Sequence, residues 1–81
     1  MSNKFRSIDS KGKKYTIEKM PPAAEQNYSI KTAKGQYAEI NFDGEKWTEK
    51  WNNSFIPKFE YDILEIGRLI QEHYDFWYSN L

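Results

Sequence analysis

The 81-residue sequence has no cysteine and no valine, and only one histidine, three prolines and four glycines. Without cysteine there is no disulfide framework, no thiolate zinc site and no thiol nucleophile. A single histidine excludes a His-Glu-x-x-His metal motif. Gly-x-Gly-x-x-Gly phosphate loops and Gly-x-Ser-x-Gly nucleophile elbows are equally missing. The longest uninterrupted apolar run is the trio Phe76-Trp77-Tyr78, far short of the ~20 residues that cross a bilayer. Met1-Ser2-Asn3-Lys4-Phe5-Arg6 leads into no apolar stretch of the kind that follows a secretory n-region. Together with the lack of cysteine, this points to the cytoplasm. Neither sign of charge is in excess: twelve Lys and Arg balance twelve Asp and Glu.

Aromatic side chains are abundant. Fourteen rings (three Trp, six Tyr, five Phe) stand against eleven Ile plus Leu. A chain of this length forms one domain, residues 1–81, and hides only about 60% of its unfolded surface. Each ring can bury ~150–250 Å², so fourteen exceed what one thin core needs and some are expected at an interface. The bias toward Lys, Asn, Ile, Tyr, Phe and Glu follows AT-rich codons and fits a low-GC bacterial or phage genome.

Balanced overall, the charge is lopsided along the chain. Residues 1–34 carry eight basic and three acidic side chains, and residues 35–81 carry four basic and nine acidic. Attraction between the two halves in the folded state is the simplest consequence.

Period-two alternation predicts strands over Phe5–Ile8, Lys13–Lys19, Tyr28–Thr32, Gln36–Phe42 and Glu45–Trp51. Asp9-Ser10-Lys11-Gly12 turns the first pair, and Asp43-Gly44 turns the last with the pair expected at its centre. Met20-Pro21-Pro22 breaks the ladder between two hairpin units. On the last strand, alternation places Trp47, Glu49 and Trp51 on one face, with both indoles expected against the core and an exposed stacking platform as the alternative.

The period then changes. Phe59, Ile63, Ile66, Ile70, His73 and Trp77 recur every three or four residues, which predicts an amphipathic helix from about Pro57 to about Ser79, capped by Asn53 or Ser54. Gly67 lies beside the apolar stripe, where a close helix–sheet approach would require it. Arg68 is three residues after Glu65 and four before Glu72, a solvated ion-pair ladder. The expected architecture is α+β: an antiparallel sheet of about five strands, the second hairpin unit a meander, covered by one C-terminal helix. The alternative is a three-stranded meander plus helix with a loosely attached N-terminal hairpin.

Catalysis is not expected. His73 falls on the apolar stripe with no positioned partner, and Glu72, His73 and Asp75 are too close in sequence to converge on a metal. No cofactor or metal is implied. A small non-enzymatic interaction module is expected instead, docking to a protein or forming a homodimer through Tyr74, Phe76, Trp77 and Tyr78. The alternative partner is nucleic acid, held by Lys4, Arg6, Lys11, Lys13, Lys14 and Tyr15, with Tyr28, Lys31 and Lys34 extending the surface. Lysines on strand edges also guard against aggregation without any ligand.

Overall fold

The computed structural model describes residues 4–22, 24–53 and 59–74. The alternating segments form five strands: β1 (Lys4–Ile8), β2 (Lys14–Met20), β3 (Gln26–Lys31), β4 (Tyr37–Phe42) and β5 (Trp47–Asn52). They lie side by side in chain order, every neighbour antiparallel. One helix, α1 (Ile63–Tyr74), covers one face and completes an α+β fold. The N-terminal hairpin is an integral part of the sheet, because β2 pairs with β3 from Thr16 opposite Lys31 to Met20 opposite Asn27.

On the covered face Tyr15, Ile17, Tyr28, Ile30, Ala38 and Ile40 meet Phe59, Ile66 and Ile70, all at or below 2% exposure. Fully burying each large apolar side chain stabilises by about 1.5–3 kcal/mol, so this cluster carries the domain. Ten rings fall among the described residues. Tyr15, Tyr28 and Phe59 are buried, and Phe5, Phe42, Trp47, Tyr61 and Tyr74 pack against them. That leaves Tyr37 and Trp51, both on the opposite face. Within the described residues, the core absorbs more of the aromatic surplus than composition suggests.

The helix begins later than its periodicity predicts. Residues 59–62 are not helical, and Asp62 is the cap: its Oδ1 accepts the N–H groups of Leu64 (3.0 Å) and Glu65 (3.2 Å). Phe59 mimics a helical position four residues before Ile63, yet it reaches the core from the connecting segment. Tyr61 and Asn52 hold that segment, Tyr61 by donating to Glu49 Oε1 at 2.7 Å and Asn52 by donating to the Phe59 carbonyl at 2.8 Å. Asn53 is described and does not cap the helix, whereas Ser54, Pro57 and the stretch from Asp75 to Ser79 lie outside the described residues. Twelve helical residues span about 18 Å, close to the ~20 Å of a six-residue strand.

The second correction concerns β5. Glu39 pairs with Trp51 and Ile40 with Glu49, so Lys50 is an extra residue without a partner on β4. This β-bulge reverses the alternation beyond it. Trp47 and Glu49 stay on the helix face, while Trp51 turns to the other side and is 53% exposed. The hairpin turn itself is centred one residue later than expected. Asp43 N–H donates to the Lys46 carbonyl at 3.2 Å, which puts Gly44 (φ 103°) and Glu45 in the middle. Glycine suits that left-handed backbone.

The first turn is closed by Asp9. Its Oδ1 accepts the N–H groups of Lys11 (2.9 Å) and Lys13 (2.8 Å), and its Oδ2 accepts the Tyr15 hydroxyl (3.0 Å). Desolvation pushes the Asp9 carboxyl up, but the Lys13 N–H, the Tyr15 hydroxyl and the Lys11 N–H outweigh it and hold the group below its ordinary 3.8. A carboxyl depressed on folding contributes stability above its unfolded value and loses it as pH falls through the folded one. Lowering pH from about 5 to about 3 should therefore reduce the urea midpoint of the native protein more than that of Asp9→Ala. Parallel pH profiles for the two proteins would refute this role for Asp9.

Candidate functional site

Among the described residues nothing packs on the face of the sheet opposite α1. Its side chains fall into rows set by the strand register. One row runs Lys4, Glu18, Ser29, Glu39, Trp51, and the next runs Arg6, Thr16, Lys31, Tyr37. Ile8 and Lys14 begin a third row at the end where the β1–β2 and β3–β4 turns lie. Lys11 and Lys34 sit in those two turns and are exposed. The Arg6 row and the end beyond it therefore present cations and hydroxyls, and the carboxylates of Glu18 and Glu39 stay one row away.

A depression of about 260 Å³ lies on this face, lined by Lys4, Thr16, Glu18, Ser29, Lys31 and Tyr37, with Met20 and Pro21 at one end. Ser29, only 7% exposed, is the most buried polar side chain here. Tyr37 donates its hydroxyl to Glu39 Oε2 at 2.7 Å. Burial first, and that carboxylate second, push the Tyr37 hydroxyl up to about 12, so it stays neutral. Trp51 meets the Tyr37 ring edge-on, centroids 5.8 Å apart and planes at 69°.

The helix-bearing side has the opposite character. Glu49, Glu60, Asp62, Glu65 and Glu72 lie there against Lys13, Lys19 and Arg68, whereas the open face sets Lys4, Arg6, Lys14 and Lys31 against Glu18 and Glu39. The imbalance along the chain becomes an imbalance through the thickness of the domain. Contacts between the acidic and basic halves run largely through neutral donors and carbonyls. Ser10 donates its N–H (2.8 Å) and hydroxyl (3.2 Å) to Glu65, and Lys13 Nζ donates to the Glu60 carbonyl at 3.3 Å. Arg68 pairs within the helix, with Glu65 at 3.8 Å and Glu72 at 3.6 Å. Both pairs are weak contributors, because the guanidinium is mostly exposed.

The structure divides the basic candidates. Lys4, Arg6 and Lys14 share the open face with Lys31. Lys13 is committed to the helix side, its Nζ 5.2 Å from the centre of the Phe59 ring. Tyr15 and Tyr28 are buried in the core and offer no ring to a ligand. Of the aromatic candidates at the chain end, Tyr74 is half-buried, edge-on to Phe5 at 5.7 Å and tilted against Tyr28 at 5.9 Å. Phe76, Trp77 and Tyr78 lie outside the described residues.

His73 lies flat on Phe5, ring centroids 3.8 Å apart, with Tyr74 edge-on at 4.8 Å. Among the described residues, no group of three or more His, Asp and Glu could hold a metal ion, and no helix is long and apolar enough to cross a membrane.

Sequence reasoning missed Trp51 as an open-face residue, because no residue type in Trp47–Trp51 announces the bulge. Tyr37 was legible there, alternating with the inward Ala38 and Ile40. No family model, curated protein or solved structure matches the chain.

Proposed function

We propose that this protein is a non-enzymatic, cytoplasmic binding module that takes the phosphate backbone of a nucleic acid on the open face of its sheet. The observation that carries this reading is the segregation of charge across the domain. A chain of zero net charge still presents Lys4, Arg6, Lys14 and Lys31 on one face against Glu18 and Glu39, while Glu49, Glu60, Asp62, Glu65 and Glu72 lie on the helix side. A polyanion meeting this face releases counterions from its own phosphates, which drives association without any base-specific contact. The Thr16 hydroxyl lies between Arg6 and Lys31 in one row, suited to donate to a phosphate oxygen.

The test is retention of labelled oligonucleotides across a salt series. Three cations on three phosphates give a slope of log K against log salt of about −2 for single strands. The double variant Lys14→Glu, Lys31→Glu should bind at least about tenfold more weakly and with a shallower slope. No retention at low salt, or an unchanged slope in the double variant, overturns the proposal. If retention fails while Trp77→Ala alters the mass seen by light scattering, protein docking through Tyr74, Phe76, Trp77 and Tyr78 takes its place.

A further inference from the structure

We infer that Trp51 and Tyr37 form a base-stacking platform that makes the open face selective for unpaired, single-stranded nucleic acid; this rests on the phosphate-binding reading above. The bulge at Lys50 is the structural cause. Without it Trp51 would continue the alternation of Trp47 and Glu49 and point toward α1; with it the indole stands on the open face beside Tyr37. Bulges re-aim side chains in this way, often next to binding sites.

The neighbours of the two rings suit a nucleotide. Lys31 lies directly opposite Tyr37 across β3 and β4, which places a cation beside the ring. Cross-strand neighbours stand only ~5 Å apart at Cβ, so a phosphate on Lys31 leaves the attached base above Tyr37 or Trp51. The Glu39 carboxylate anchors the Tyr37 hydroxyl and fixes that ring. Glu18 and Glu39 share the row that ends at Trp51, and both repel phosphate. The backbone is thereby steered onto the row of Arg6, Thr16 and Lys31, with bases turned toward the indole. A duplex keeps its base faces stacked inside and cannot use such a platform, whereas an unpaired strand can.

The experiment compares an oligothymidylate about 15 nucleotides long, near the upper end of known site sizes, with a hairpin duplex of similar charge. Affinities are read by fluorescence anisotropy with the full chain at low salt. Wild type should bind the single strand about tenfold more tightly than the duplex, and Trp51→Ala should lose about tenfold on the single strand alone. Trp51→Leu keeps apolar bulk against Tyr37 but has no π-face, so it should lose as much even if the alanine variant is poorly folded. Trp51→Phe should retain most of the preference.

Equal affinity for both forms, with the Trp51 variants like wild type, overturns the stacking platform. The phosphate-binding reading then survives if Lys14→Glu, Lys31→Glu still weakens binding. Binding of neither form overturns both.

Discussion

Replacing Tyr28 by alanine is expected to cost about 3–5 kcal/mol, the range for deleting a fully buried aromatic ring. A small domain has only about 5–15 kcal/mol in total, so the variant should be largely unfolded at moderate urea concentrations. Tyr28 is completely shielded from solvent on the central strand β3. Its ring touches Trp47 on one side (centroids 5.7 Å apart) and Tyr74 on the other (5.9 Å), and so joins β5 to the last turn of α1. The Lys19 ammonium stands 5.5 Å from the ring centre, held by the carbonyl oxygens of Met20 and Glu25.

The Tyr28 hydroxyl donates to Gln26 Oε1 at 2.6 Å, and burial keeps it protonated far above the ordinary range of a phenol. Tyr28→Phe removes only that hydrogen bond and should cost about 1 kcal/mol. The contrast between the two variants is the measurement. If Tyr28→Ala unfolds within about 1 kcal/mol of wild type, the ring does not tie the sheet to the helix.

Tyr28 also marks where sequence patterning loses its power. In Tyr28-Ser29-Ile30-Lys31 the alternation is plain, but a tyrosine has an apolar body and a polar tip and fits either face. Beside Lys31 and Lys34 it reads naturally as a surface ring. Only its register opposite Ile40, on a face that α1 covers, decides the matter. Tyr15 carries the same ambiguity, and its hydroxyl reaches the rim of the core to meet Asp9.

The existence of the strands was easier to infer, because period two and the turn residues Gly12 and Gly44 are local signals, whereas their order in the sheet came only from the pairing. The start of the helix was harder. Phe59 obeys the helical spacing while belonging to an extended connection, and Asp62 is equally plausible as a first-turn acid and as a cap. The face of Trp51 was beyond reach, since a bulge depends on how two strands meet rather than on either strand alone. The candidate site was therefore half legible: its cations from composition and alternation, its ring pair only from the register of β4 and β5.

Gly67→Ala should destabilise the protein by up to about 2 kcal/mol, although alanine is the better helix former. The ~1 kcal/mol gained in helix propensity is set against an overpacked contact, which typically costs about 1–3 kcal/mol. A Cβ at position 67 would overlap Trp47 Nε1 and lie 2.6 Å from both Cδ1 and Cε2 of that indole. These are atoms of a rigid ring, not the tip of a flexible chain. The ring is also hemmed in on the sheet side, with Phe42 at 5.0 Å and Tyr28 at 5.7 Å between centroids. Either α1 lifts from β5 or Trp47 leaves its place.

In a domain of this size each kcal/mol moves the melting temperature by roughly 4–8 °C, so the loss is easily read by thermal unfolding. Trp47→Leu makes room, and on that background Gly67→Ala should be neutral or stabilising, because only the propensity gain remains. A double-mutant cycle of the two changes thus measures the contact itself. Additive effects, or a stabilising Gly67→Ala in the native background, would mean that the helix does not press its glycine onto the Trp47 indole.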